Sequence, residues 1–371
     1  MLENGKIGIK QFTILVIMFT IGGSVLVAPS QLVSQAKQDA WIASIVGVAI
    51  GLLLVLLYSH LGSRFPEMTL AEYCEEILGK WLGKIVSFLF FIYFFLHAAG
   101  LLRAIGDFMT TQILPETPIQ AIHIIFFMIV VMGVRLGLET FARASEILLP
   151  WVLFLFFILV LSIAPQIELQ KIQPILEEGI KPVMAGTFQV LGLPYLQLVM
   201  LLMIFPYVNR NQEAKKAFLL GTLMGGILLI VITSLSILVL GPDLTERQMY
   251  PSYTLAKKIN VGNFLQRVEA MVAGIWFITI YFKLAIVFYV STVSFAQTFK
   301  LKDYRFLIFP LGMIIIVLSI TNYPNIVYFQ SFIAKIWTPY SLTFGLFFPI
   351  LLAGVAAFRK KQGTGTSNKC L

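Results

Sequence analysis

Lys283 is the residue that asks most of its surroundings. It is position 14 of the 30-residue stretch 270–299, which holds no other Asp, Glu, Lys or Arg. A stretch of that length crosses a bilayer, and a lysine near its middle costs about 2.5–3.5 kcal/mol on insertion scales. From the midplane its side chain is too short to snorkel to either interface. The ammonium must therefore find acceptors inside the protein. No acidic residue falls mid-span elsewhere, so backbone carbonyls are the expected partners.

Other polar groups carry weaker demands. Arg103 and Asp107, four residues apart, fit either an outer gate over a binding site or an interfacial ion pair. Glu139, Arg143 and Glu146 form a similar row and read as structural. His97, near Tyr93 and Ala98, fits a satisfied core histidine, a ligand contact or a proton sensor. His60 and His123 have no ligand-like spacing, and Cys74 and Cys370 imply neither a disulfide nor a metal site. No phosphate-binding loop, HExxH, CxxC or nucleophile elbow occurs. Catalysis, cofactor and metal thus receive no support.

The elements that must position these residues follow from composition. Of 371 residues 58% are hydrophobic and 12% charged, against about 45–50% and 25% in soluble domains. Mean hydropathy is +0.89. A soluble fold of this size cannot hide so much apolar surface. Stretches free of Asp, Glu, Lys and Arg cover 11–36, 40–63, 85–102, 117–134, 147–167, 182–209, 217–242, 306–334 and 336–358, with 270–299 interrupted only by Lys283. None alternates as a barrel strand would, so the expectation is an all-α polytopic membrane protein of about ten transmembrane helices. Within 306–334, Asn322, Pro324 and Asn325 predict a helix end near 321, with 322–335 re-entrant or on the surface.

With ten crossings both termini share one side. That side collects 17 of the 27 basic residues and the other 9, Lys283 being the remainder. Both termini are therefore expected in the cytoplasm. The +9 net charge is then a loop property, and no nucleic-acid partner is implied. The segment 67–84, EMTLAEYCEEILGKWLGK, places Leu70, Tyr73, Ile77, Leu78 and Trp81 on one helical face, and Thr69 with Glu72 fits a capping box. It reads as an amphipathic helix on the cytoplasmic membrane surface. The longest loop, 241–269, should carry a short helix from Ser252. The polar tail 359–371 should be disordered.

Two crossings contain helix breakers at matched depth. The first reads FTIGGSVLVAPS and the sixth QVLGLPYLQ, with Gly22 at position 12 of its stretch and Gly192 at position 11 of its own. Glycine and proline also mark simple kinks in membrane helices, which is the plainer reading of either break alone. As a matched pair they point to a 5+5 inverted-repeat transporter fold, with repeats at about 10–164 and 182–358 and broken helices 1 and 6. Unwound turns free backbone groups that protein, water or ligand must satisfy. Gly22, Gly23, Ser24, Val25, Gly192, Leu193 and Pro194 are thus the expected ligand-binding residues, with Tyr93, His97 and Ala98 opposite them.

The broken first helix, the cytoplasmic amphipathic helix and the ten spans resemble the amino acid–polyamine–organocation transporter superfamily. Within it, the chain resembles the B subunit of endospore germinant receptors, the spore germination permease family. The likeness rests on its length, on IQPILEEGIKPVMAG before the sixth span, on IFPYVNRNQEAKKA after it, and on YPSYTLAKKINVGNFLQRVEA before the eighth. It covers about residues 8–358. The resemblance implies a ligand-binding subunit in the spore inner membrane that senses a small germinant, often an amino acid, beside an A subunit and a lipoprotein C subunit. Superfamily members hold a coupling cation between helices 1 and 8, and Lys283 resembles a tethered substitute for it. A secondary transporter for amino acids or cations, or a ligand-gated ion or water conduit, are the alternative readings.

Overall fold

The computed structural model describes residues 5–209, 211–258 and 268–359. The tail from residue 360, Cys370 and the stretch 259–267 of the long loop lie outside the described residues. The described chain is helical, with one isolated parallel bridge between Ile7 and Val208. Seven helices are long and apolar enough to cross a membrane, and Ile9–Gly22, Ile119–Arg135 and Arg305–Thr321 are shorter apolar ones.

The first crossing is built from α1 (Ile9–Gly22) and α2 (Ser24–Ala36), which meet at Gly23. A 3-10 turn at Lys37–Asp39 then reverses the chain into α3 (Ala40–Arg64). Thr69 caps α4 (Leu70–Leu78) by accepting from the Glu72 amide, and the Glu72 carboxylate accepts in turn from the Thr69 amide. The capping box is present. The face of α4 differs from the expected one, because Gly79 (φ +91°) redirects the chain and starts α5 (Lys80–Phe108). Trp81 therefore belongs to α5 and is 81% exposed, while Leu70, Tyr73, Cys74 and Ile77 pack inward. Tyr73 stacks on Phe65 with ring centroids 5.5 Å apart.

After α6 (Ile119–Arg135) and α7 (Leu138–Ile163), the sixth crossing changes helix type along its length. It runs as α8 (Ile180–Val190), then a π turn at Leu191–Tyr195, then a 3-10 run at Leu196–Met203. Ile7 donates to the Tyr207 carbonyl and accepts from the Asn209 amide, both at 2.9 Å, which pins the start of the first crossing to the end of the sixth. Next come α9 (Asn211–Leu240), the short α10 (Pro242–Arg247) and α11 (Pro251–Lys257), and then α12 (Glu269–Thr298). The helix expected from Ser252 is α11.

α13 (Ile308–Thr321) ends where the asparagines and proline predicted. The next segment departs from the expected re-entrant or surface piece. Asn325 caps α14 (Ile326–Phe332) by accepting from the Tyr328 amide at 2.8 Å. Helix then continues through π turns and α15 (Thr338–Leu342) into α16 (Phe348–Phe358). Lys335 sits inside this last crossing rather than between two.

Position in the bundle follows chemistry. The Leu196–Met203 run is buried throughout, as is most of α12, so irregular and charged backbone is surrounded by protein. Ile125, Met128, Met132, Trp151, Phe154 and Phe157 on α6 and α7 are exposed, as lipid-facing side chains are. α9 meets α1 across Gly221 and Gly225, where added methyl groups would lie 2.6 Å from Val16 Cβ and 2.7 Å from Thr20 Cβ. Small residues four apart permit that close approach.

Candidate ligand site

The two breaks free different amounts of backbone. Gly23 keeps right-handed helical angles (φ −83°, ψ −22°), so the interruption between α1 and α2 is one residue deep. The Val25 carbonyl nearby accepts from Ser252 Oγ of α11 at 2.6 Å. The sixth crossing opens further. Pro194 has no amide hydrogen for the π turn's five-residue reach back to Gln189. The Gln189 carbonyl accepts instead from Thr338 Oγ1 at 3.2 Å. The Gly192 carbonyl accepts from Gln197 Nε2 at 2.8 Å and Trp337 Nε1 at 2.9 Å. The Leu193 carbonyl accepts from Lys283 Nζ at 3.3 Å.

That last bond corrects one expectation. The sequence points to free carbonyls near Gly22–Val25 as the nearest acceptors for the ammonium, but it bonds to the second break. Because the first break is so shallow, it leaves no comparable acceptor row. The Lys283 stem does pack on Gly22, and its ammonium lies 4.9 Å from the centroid of the Phe19 ring. Lys283 thus bridges both breaks, by packing at one and by hydrogen bonding at the other.

Between the breaks lies a cavity with about 750 Å³ of space between atoms, part of it open to solvent. Gly23, Ser24, His97, Leu193 and Lys283 line it, as the sequence led us to expect. Gly22 is packed behind, against Lys283 and the Thr279 carbonyl, and Gly192 lies against Thr338. Val25, Ala98 and Pro194 are buried but are not part of the lining. Tyr93 supports the floor from beneath, stacked 4.5 Å from Phe344 and 5.8 Å from Trp337. His97 stacks on Trp337 at 4.9 Å.

Arg103 and Asp107 form the expected ion pair but do not line the cavity. They form a buried pair at 2.8 Å, and Arg103 also donates to the Tyr323 carbonyl. Tyr323 does line the cavity, so the pair anchors one of its walls. Glu146 leaves the row proposed for α7 and binds Lys10 at 2.7 Å, while Arg143 pairs with Glu139. His123 bonds Ser319 at 2.9 Å, away from the site.

The sequence reading missed Gln197, Trp276, Tyr323 and Trp337 in the lining. Gln197 was findable as a polar residue inside an apolar run; the aromatic residues carried no such mark. Ser24 Oγ and Trp276 Nε1 are buried without a hydrogen-bond partner, while the His97 and Gln197 side chains lie within reach of each other. Such groups cost about 1–3 kcal/mol each when left unpaired, so two donors in one lining favour a polar occupant. Lys283 is the only charged residue in the lining among the described residues.

The sequence profile of a family described as spore germination protein matches residues 6–327. The chain belongs to that family. It is 32% identical over 365 residues to spore germination protein KB of Bacillus subtilis (strain 168), covering 97% of each chain. It is 26% identical to spore germination protein YndE of the same organism, over 96% of this chain and 98% of the relative. Among solved structures it resembles MhsT in complex with L-phenylalanine, with a TM-score of 0.63 at 16% identity over 93% of this chain and 97% of that one. A Na+-coupled sialic acid symporter gives 0.64 at 12% identity, over 92% and 79%. MHP1, a nucleobase-cation-symport-1 family transporter, gives 0.63 at 13% identity, over 95% and 76%. This spore germination protein is therefore a multi-pass membrane protein with the inverted-repeat transporter fold.

Proposed function

We propose that this chain is the membrane-embedded, ligand-binding subunit of a spore germinant receptor, and that the cavity between the two breaks holds the germinant. The observation that carries this reading is the pair of buried, unpartnered donors, Ser24 Oγ and Trp276 Nε1, whose residues line one cavity with Lys283. Ser24, Trp276 and Lys283 are donors, which suits a ligand with a carboxylate, such as an amino acid. Membership of the spore germination family supplies the context.

On this reading residues of about 10–164 and 182–358 are the two repeats. The subunit works beside an A subunit and a lipoprotein C subunit in the spore inner membrane, with both termini in the cytoplasm. Lys283 takes the place of a bound cation. The test is purified protein in proteoliposomes and in its native spores. Saturable binding of a germinant without sustained flux supports a receptor. Sustained counterflow of substrate would replace it with a secondary transporter, and ligand-opened ion flux with a conduit.

A further inference from the structure

A second hollow of mixed lining opens at the surface beside α10, lined by Ser30, Gln31, Ser34, Gln248, Gln330 and Ser331 among others. Gln31 and Gln330 line both this hollow and the buried cavity. The two spaces therefore share a boundary. Along α2 a single helical stripe runs from one to the other, with Ser24 and Val27 in the cavity, Gln31 in both, and Ser34 in the hollow. On α14, Phe329 and Phe332 face the cavity, Gln330 both, and Ser331 the hollow. On the segment before α11, Tyr250 faces the cavity and Met249 the hollow.

Lining chemistry changes at the same level on both crossings. Below the glutamines, Val27, Phe329, Phe332 and Ile333 are apolar; above them, Ser30, Ser34 and Ser331 bring hydroxyls, beside Met249 and Ala334. Gln31 and Gln330 are half-buried. Two charged residues stand at the mouth: Glu246, held by Lys37 at 2.5 Å, and Arg247.

We propose that this surface hollow is the access vestibule of the cavity, and that Gln31 and Gln330 form a neutral neck that selects what passes. A primary amide offers both donors and an acceptor, so two of them replace part of a solute's hydration without favouring either charge. The neck admits small neutral or zwitterionic solutes and excludes bulky ones. Val27, Phe329 and Phe332 just beneath it offer no such replacement, so a solute that keeps its water stops at the glutamines.

Cysteine labelling tests this on the full chain carrying Cys74→Ala and Cys370→Ser, and needs no germinant, so its outcome is independent of what the cavity binds. Ser34→Cys reports the vestibule and Ser24→Cys the cavity, each treated with a small neutral methanethiosulfonate. Both positions should react with the native neck. Gln330→Trp or Gln31→Trp should slow Ser24→Cys by roughly tenfold or more while leaving Ser34→Cys unchanged. Gln330→Ala should let a bulkier reagent reach Ser24→Cys faster. A Ser24→Cys that is inert behind every neck, or whose rate ignores the glutamine substitutions, overturns the assignment. Equal slowing at Ser34→Cys overturns it too, since the obstruction would then lie at the mouth.

Discussion

Gly22 and Lys283 touch with no room for a side chain between them: a methyl group on Gly22 would sit 2.7 Å from Lys283 Cβ and 3.0 Å from the Thr279 carbonyl oxygen. The first and eighth crossings therefore meet through a glycine at the level of the cavity. Gly22→Leu should displace Lys283 from the Leu193 carbonyl and abolish ligand binding, with membrane insertion intact. Gly22→Ala is the milder probe, costing about 1–3 kcal/mol as an overpacked core does. Isothermal binding and thermal unfolding of both variants in detergent check the order. Unchanged binding in Gly22→Leu would place the ligand site elsewhere.

Lys283 is 1% exposed, and among the described residues it has no carboxylate partner; its ammonium has the Leu193 carbonyl and the Phe19 face. Lys283→Met keeps the stem that packs on Gly22 but removes the charge. That variant should fold and fail to respond. Lys283→Arg keeps the charge in a tight space and should retain more response than Met, with lowered stability. If the ammonium substitutes for a bound cation, ligand action should be the same in sodium-free choline medium at equal ionic strength. A strict sodium requirement in the wild type, or full activity of the Met variant, would falsify that role.

Both breaks were legible because glycine and proline act through the backbone, locally. Gly22–Gly23 and Gly192–Pro194 carry their signal within a few residues. The donors that satisfy the freed carbonyls were not legible, since Trp337 is 145 positions from the Gly192 carbonyl it binds. The depth of a break was also hidden: Gly23 stays helical, while Pro194 forces a π turn. Trp81 misled because its apolar face continued the α4 pattern through Gly79, whose φ of +91° ends that helix. Lys335 misled because a single charge marks an interface in sequence, yet its long stem can lie within a helix.

The Gly192 carbonyl offers a test of how the second break is held. It has two donors, Gln197 Nε2 and Trp337 Nε1. Trp337→Phe or Gln197→Met removes one bond and leaves the other, at about 0.5–1.5 kcal/mol. The double variant leaves a buried carbonyl with neither, so its cost should exceed the sum of the two. A double-mutant cycle by thermal unfolding measures the excess. Strict additivity would show that water already serves this carbonyl.

Cys74 lies on the inward face of α4, fully buried. Burial pushes its thiol well above the usual range, so the reactive thiolate is absent at neutral pH and stays scarce in mildly alkaline buffer. With Cys370→Ser in place, maleimide should leave the folded protein unlabelled and modify Cys74 only on denaturation. Rapid labelling of the native protein would mean that α4 undocks readily from the bundle.

Arg103 and Asp107 supply the sharpest stability test. Their bond at 2.8 Å is buried, and Arg103 also holds the Tyr323 carbonyl in the cavity wall. Removing one partner leaves the other charge uncompensated, which typically costs about 3–5 kcal/mol. Arg103→Leu should therefore lower the unfolding temperature sharply and loosen Tyr323, weakening ligand binding. Arg103→Leu with Asp107→Leu removes both charges and should recover much of the stability. Binding should recover less, because the Tyr323 carbonyl still lacks its donor. Thermal unfolding and ligand titration of the three variants separate these effects. Equal recovery of both would reduce the pair to a structural bridge with no hold on the cavity.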